Sequence, residues 1–275
     1  MMYSYKFVCN ITRISFFIFL YNGFLTGCAT KLEFDPIIIR SDTPEVSGKL
    51  FNGDLNSQIG YAGSRVYAEL YQEVGGDYAD SSEAYIRNSL TYALNGKLGI
   101  TRYLDVYLRG SFEAPGTIGA KVQLLGNPSR KSLGLKTAIA AEFGSISGPD
   151  NKDSNKKLSV DMYDVSFMLG YRLDPQLIIY TNNFYSNYNI DGSISRGIPE
   201  YSVKGKSTGY GGLIGAKFNL PRKESNGTTY IQFEIGFVNL NWLPTREVTN
   251  GGSYTYHNLS NNIFGMGFIT GKTWQ

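Results

Sequence analysis

The strongest constraint on this chain is a two-residue rhythm in which apolar side chains alternate with polar or small ones, segment after segment. In residues 162–172, Tyr163, Val165, Phe167, Leu169 and Tyr171 alternate with Asp164, Ser166, Met168, Gly170 and Arg172. In residues 133–144, Leu133, Leu135, Thr137, Ile139, Ala141 and Phe143 alternate with Gly134, Lys136, Ala138, Ala140, Glu142 and Gly144. The pattern returns across 207–219, 231–237 and 104–109. Successive side chains of a strand point to opposite faces, so each such run gives a strand one apolar face and one mixed face. Ten segments carry the rhythm: 55–71, 84–99, 104–113, 117–126, 132–146, 158–172, 176–190, 206–219, 228–242 and 259–274. The first and seventh alternate poorly and leave their faces open. No helical stripe or tandem repeat competes, so the expected fold class is all-β.

Connection lengths order these strands. The gaps after the second, fourth, sixth and eighth segments are short: "ITRY", "NPSRK", "LDP" and "LPRKESNG". Those after the first, fifth, seventh and ninth, at 72–83, 147–157, 191–205 and 243–258, are longer and polar, and "APG" after the third is the exception. Alternate short and long connections around an even strand count predict a single antiparallel up-and-down transmembrane β-barrel of about ten strands, with its short turns in the periplasm. The wholly apolar face must then meet lipid. The other face carries Lys97, Asp105, Arg109, Glu113, Lys121, Lys136, Glu142, Asp164, Arg172, Lys217 and Glu234. A soluble core would not tolerate so many charges, whereas in a lumen they meet water or one another. Tyr163, Tyr171, Tyr188, Tyr210, Trp242 and Trp274 fall near strand ends, as interfacial girdles require.

Folding the third and fourth strands about Pro115 sets Arg109 opposite Lys121 and brings Lys121 near Lys136, which makes a basic row. Glu113, Glu142 and Asp164 fall at an outer level, with Glu234 on the opposite wall. The acids are expected to reach across and neutralise the row, closing the lumen. The other outcome is a wet row that attracts anions.

The N-terminus carries a second signal. Lys6 and Arg13 precede or flank the start of an apolar run, "ISFFIFLYNGFL", no acid occurs before Glu33, and Thr26 and Gly27 stand just ahead of Cys28. Leu25-Thr26-Gly27-Cys28 resembles the bacterial lipoprotein signal, which implies a diacylglycerol on the Cys28 sulfur and acylation of the freed amine. A plain secretory signal with an incidental cysteine is the other reading. Of the two cysteines, Cys9 lies in the removed part, so the mature chain has no internal disulfide. The resemblance divides the chain into a signal peptide at 1–27, a lipidated periplasmic connector at 28–54 and a barrel at 55–275. Ala29, in place of an acid, implies outer-membrane sorting, with the lipid in the inner leaflet. The last strand, with Phe264, Met266, Phe268, Thr270, Lys272 and Trp274, resembles the C-terminal assembly signal of bacterial outer-membrane barrels, although here the aromatic is penultimate. That likeness implies the barrel-assembly machinery and outer-membrane lipids, including lipopolysaccharide, as partners.

Composition and motifs narrow the function classes. Lys and Arg number 26 against 23 Asp and Glu, and removing Lys6 and Arg13 leaves 24 against 23, so nothing favours nucleic acid. "GYGGLIGAK" misses the dinucleotide spacing and reads as small lumen residues, and "PDNKDSN" lacks the ligand pattern of a calcium loop. His257 is the single histidine, so no multi-histidine metal site forms and a catalytic triad has only this residue to build on. Ten-stranded outer-membrane proteases are similar in strand number, but their acids and histidine at the outer mouth find no matching motif here. The expectation is a protein without enzymatic activity, cofactor or metal. Its role is structural, or a narrow passage for small solutes or ions through the charged lumen. An adhesin-like protein acting through its outer loops is the alternative, with Tyr254, Tyr256 and His257 as a candidate contact patch; a hydrolase built around His257 comes third. Oligomeric state stays open.

Overall fold

The computed structural model describes residues 30–72, 78–81, 85–111, 114–128, 132–147, 156–195, 200–220, 227–249 and 259–274. Its strands are β1 (Thr30–Phe34), β2 (Gly53–Gln72), β3 (Tyr78–Ser81), β4 (Tyr85–Gly99), β5 (Leu104–Ser111) and β6 (Gly116–Leu125). They continue with β7 (Gly134–Ser147), β8 (Lys156–Arg172), β9 (Leu177–Ser195), β10 (Glu200–Asn219), β11 (Thr228–Thr249) and β12 (Leu259–Trp274). Each of the ten alternating segments corresponds to one of β2 and β4–β12. Neighbours in sequence pair antiparallel from β4 round to β12, and β2 closes the ring. It pairs with β12 from Gly53↔Trp274 to Ala62↔Gly265, and with β4 from Gly53↔Leu98 to Val66↔Tyr85. The result is a closed ten-stranded barrel with two accessory strands.

Local sequence explains the turns and the faces. In the β8–β9 turn, Asp174 Oδ1 accepts from the backbone N–H of Gln176 at 2.6 Å and of Leu177 at 2.9 Å, so one side chain folds "LDP" back on itself. Burial alternates residue by residue along β6 and β8. Leu94, Phe143 and Tyr210 stand more than 60% exposed on the outer surface, where an apolar belt faces lipid. On the inner face, small residues make room for aromatic rings. A Cβ on Gly215 would lie 2.3 Å from the Tyr180 ring, and one on Gly211 would lie 2.5 Å from Phe184, which accounts for two of the four glycines of "GYGGLIGAK".

The wall is uneven. β5 has 8 residues and β11 has 22. β9 runs on to Ser195, β10 begins at Glu200 and β11 reaches Thr249, so most of the polar stretch 191–205 and the first part of 243–258, up to Thr249, are strand rather than loop. β3 likewise lies within 72–83. The alternation ends early in the sequence because the outer face turns polar above the belt, at Asn189, Asp191, Lys204 and Lys206, all exposed. Lys204 and Asp191 face each other there at 3.0 Å. Trp242 and Tyr188 are not girdle residues: each is only 1% exposed and points inward, since their phase matches the inner face.

The largest departure concerns the stretch expected to be a periplasmic connector. Residues Asp35–Ser47 are buried without interruption and run through the lumen. β1 pairs with the far half of β2, from Thr30↔Leu70 to Phe34↔Arg65. The chain then descends inside the barrel and leaves at the short-turn end. There Phe51 N–H donates to Gly99 O at 2.9 Å and Gly99 N–H to Asn52 O at 2.8 Å. Gly48, with φ of 79°, makes the exit turn against Pro128, where a Cβ would lie 3.2 Å from a carbonyl oxygen. The physical reason is complementarity: this segment carries the charges and backbone groups that the lumen residues lack.

Candidate functional site

The lumen is organised in tiers, each matched by a residue of the threaded segment. Nearest the long-loop end is an apolar tier. Ile37, Ile38 and Ile39 pack in one core with Leu158, Val160 and Met162 of β8, Tyr188 and Ile190 of β9, and Val238, Leu240 and Trp242 of β11. Ala114, from the tip of the low β5–β6 hairpin, joins the same core.

Below it lies an acidic tier that holds Arg40. The guanidinium grips Asp164 with two bonds of 2.7 Å, one to each oxygen, and reaches Glu142 at 3.4 Å. The Phe184 ring lies 3.7 Å from the guanidinium carbon, a cation–π contact. Glu234 Oε2 accepts the backbone N–H of Arg40 at 2.8 Å and of Ser41 at 3.1 Å, while Tyr180 O–H donates to its other oxygen at 2.5 Å. Ser186 also donates to Asp164. Glu142 and Asp164 are direct cross-strand partners, a like-charge pairing that Arg40 and Arg109 offset together.

The basic tier follows. Asp42 pairs with Lys97 at 2.7 Å and Arg109 at 3.0 Å. Glu45 pairs with Lys136 at 2.7 Å and with Arg172 Nε at 2.6 Å. Lys121 donates to the carbonyls of Thr43 at 3.1 Å and Glu45 at 2.8 Å. Lys97 donates to Ser41 O at 2.7 Å, Arg109 to Arg40 O at 2.9 Å, and Asp105 accepts Ser47 N–H at 2.9 Å. The threaded segment has prolines at 36 and 44 and no strand partner, so its backbone groups must find side chains instead. The lumen charges meet that need. Off this column, Lys217 pairs with Asp54 at 3.3 Å and sits 3.4 Å over the Tyr230 ring, whose O–H donates to Asp54 at 2.5 Å.

Of the residues read from sequence as lumen charges, Lys97, Asp105, Arg109, Lys121, Lys136, Glu142, Asp164, Arg172, Lys217 and Glu234 are all buried inside the barrel. Glu113, Cys28, Tyr254, Tyr256 and His257 lie outside the described residues. The hairpin register differs from the one expected. Arg109 faces Thr117 and Lys121 faces Asp105, so the hairpin is centred near residue 113 instead of Pro115. This register places opposite charges side by side where the other would align two cations. Arg40, Asp42 and Glu45 were missed. The available signal was "FDPIIIRSDTPEVSG": an apolar triplet, then one base and two acids spaced to meet an acidic row and a basic row beneath it.

Chemically, this arrangement holds a chain in place. A cavity of about 30 Å³ between the segment and the β2–β5 wall has room for a water molecule or two. Among the described residues no cluster of three His, Cys, Asp or Glu is placed to hold a metal ion.

No family profile matches the sequence, and no curated protein matches it. Among solved structures, the fold is similar to the outer membrane protease OmpT from Escherichia coli, at 11% identity and a TM-score of 0.35, over 82% of this chain and 96% of that one. Neisserial surface protein A follows at 9% identity and 0.31, over 81% and 96%. Outer membrane protein OprG from Pseudomonas aeruginosa stands at 8% and 0.31, over 85% and 98%. The chain is a closed, antiparallel transmembrane β-barrel. Its closed ten-strand circuit, apolar outer belt and charged interior decide that, and no specific family follows from these distant likenesses.

Proposed function

We propose that this protein is a self-plugged, lipid-anchored barrel whose role in the outer membrane is structural, with no enzymatic step and no steady solute passage. One observation carries the reading: Asp35–Ser47 occupies the lumen, and its Arg40, Asp42 and Glu45 engage both charge tiers. Ten strands enclose little space, and an occupied interior leaves less. The partners this reading assigns are outer-membrane lipids, lipopolysaccharide and the barrel-assembly machinery.

The anchor is Cys28. Its sulfur forms a thioether to a diacylglyceryl group from a phospholipid, whose phosphorylated headgroup leaves with the thiol proton. Water then cleaves Gly27–Cys28, and the freed amine takes an acyl chain from a second phospholipid. Cys28→Ala should lose labelled palmitate and remain uncut at residue 27, while the barrel still inserts, because its apolar belt far exceeds one acyl anchor.

Planar-bilayer recording of the purified protein tests the plugged state. Little steady current is expected. A stable, anion-selective conductance in the unmutated protein would overturn this reading and make the basic tier a permeation site.

A further inference from the structure

We infer that the chain enters the barrel from the outer, long-loop mouth, so that Thr30, two residues after the proposed lipid site Cys28, lies on that side and not in the periplasm. The inference rests on the lipoprotein reading for the lipid, and on the threading of the chain for its position.

Three observations give the direction of threading. β1 pairs with residues 65–70 of β2, beyond Ala62, where the β12 ladder ends. Val66 and Arg65 pair with β4 on one edge, so β1 occupies the other edge, continuing the position β12 vacates. Between Asp35 and Ser47 the chain meets the apolar, acidic and basic tiers in that order. It leaves beside Gly99 and Pro128, at the short-turn end. With the short turns in the periplasm, the chain enters from outside and runs inward, and β2 then carries it outward again.

The geometry lets the lipid reach the outer leaflet. Tyr61, 43% exposed, belongs to the belt on β2, and Phe34 is opposite Arg65, four residues further up. At about 3.3 Å per residue and a tilt of about 40°, that is roughly 10 Å along the axis. The six residue steps from Phe34 back to Cys28 span at most about 20 Å. The lipid therefore clears the rim and inserts once β1 parts from β2. That ladder is short and broken by an irregular register between Leu32 and Glu33, and β1 also touches β8 and β9.

Single cysteines and a membrane-impermeant maleimide on intact cells test the inference. In the wild type, Cys28 is the one cysteine left after processing, and its lipid should block labelling. Lys31→Cys should label in intact cells. Lys49→Cys, at the exposed exit turn, should label only after the outer membrane is permeabilised. The reverse pattern, with residue 49 labelled and residue 31 protected, would overturn the outer placement even if palmitate is incorporated. Wild-type protein that labels at Cys28 in intact cells and takes up no palmitate would refute the anchor, while supporting the direction of threading.

Discussion

Arg40 is the residue on which most of the lumen depends. It is 1% exposed, and removing its guanidinium leaves Asp164 and Glu142 facing each other with Arg109 as their remaining base. Breaking a buried ion pair by deleting one partner typically costs about 3–5 kcal/mol, because the remaining charge stays desolvated. Arg40→Ala should therefore lower the urea midpoint for loss of the folded gel form. Arg40→Lys should recover part of the loss, since a lysine restores charge but cannot grip Asp164 with two parallel bonds. An unchanged midpoint in Arg40→Ala would mean that the plug adds nothing to barrel stability. Glu45→Gln should act in the same direction, since Lys136 and Arg172 both rely on that carboxylate. The inner charges were legible from strand phase alone. Their partners were not, because Arg40, Asp42 and Glu45 lie in a segment without periodicity, where spacing assigns no face.

At the scale of elements, the threaded segment and the low β5–β6 hairpin close the lumen together. Deleting residues 35–47 should leave ten strands able to close, since none of the barrel's ladders includes them. It should also strand Lys97, Arg109, Lys121, Lys136 and Arg172 without Asp42, Glu45 and the carbonyls they serve. A conductance with anion selectivity is the expected result in bilayer recordings; a deletion that stays silent would mean that other parts of the wall close the lumen. Ala114→Asp should loosen the seal from the other side, by placing a carboxylate against the Ile37–Ile39 tier. The hairpin register shows why pairing had to be seen. Pro115 suggested a symmetric tip, but the charge pairing of Asp105 with Lys121 belongs to a register centred near residue 113.

For the whole molecule, closure makes folding and membrane insertion one event. Unboiled protein should migrate differently from boiled protein on a denaturing gel. External protease on intact cells should cut within 147–157 and 243–258 and spare the turn at 127–131. Cleavage at 127–131 would invert the barrel in the membrane, and the placement of the N-terminus with it. The polar stretches above the belt belong to β9, β10 and β11, so cleavage should fall beyond those strands, near 196–199 and 250–258, and not throughout 191–205 and 243–258.

The sequence by itself determined the ten strands, the lipid-facing side and the sign of the inner charges. Each of these follows from a period of two read against the cost of burying charge. Only the tertiary structure decided what fills the lumen. A plug has no period: it is held by contacts between residues about 60 to 190 positions apart, such as Ser47 with Asp105 and Arg40 with Glu234. Whether residues 35–47 hang in the periplasm or thread the barrel is settled by which charges lie opposite them once the ring has closed.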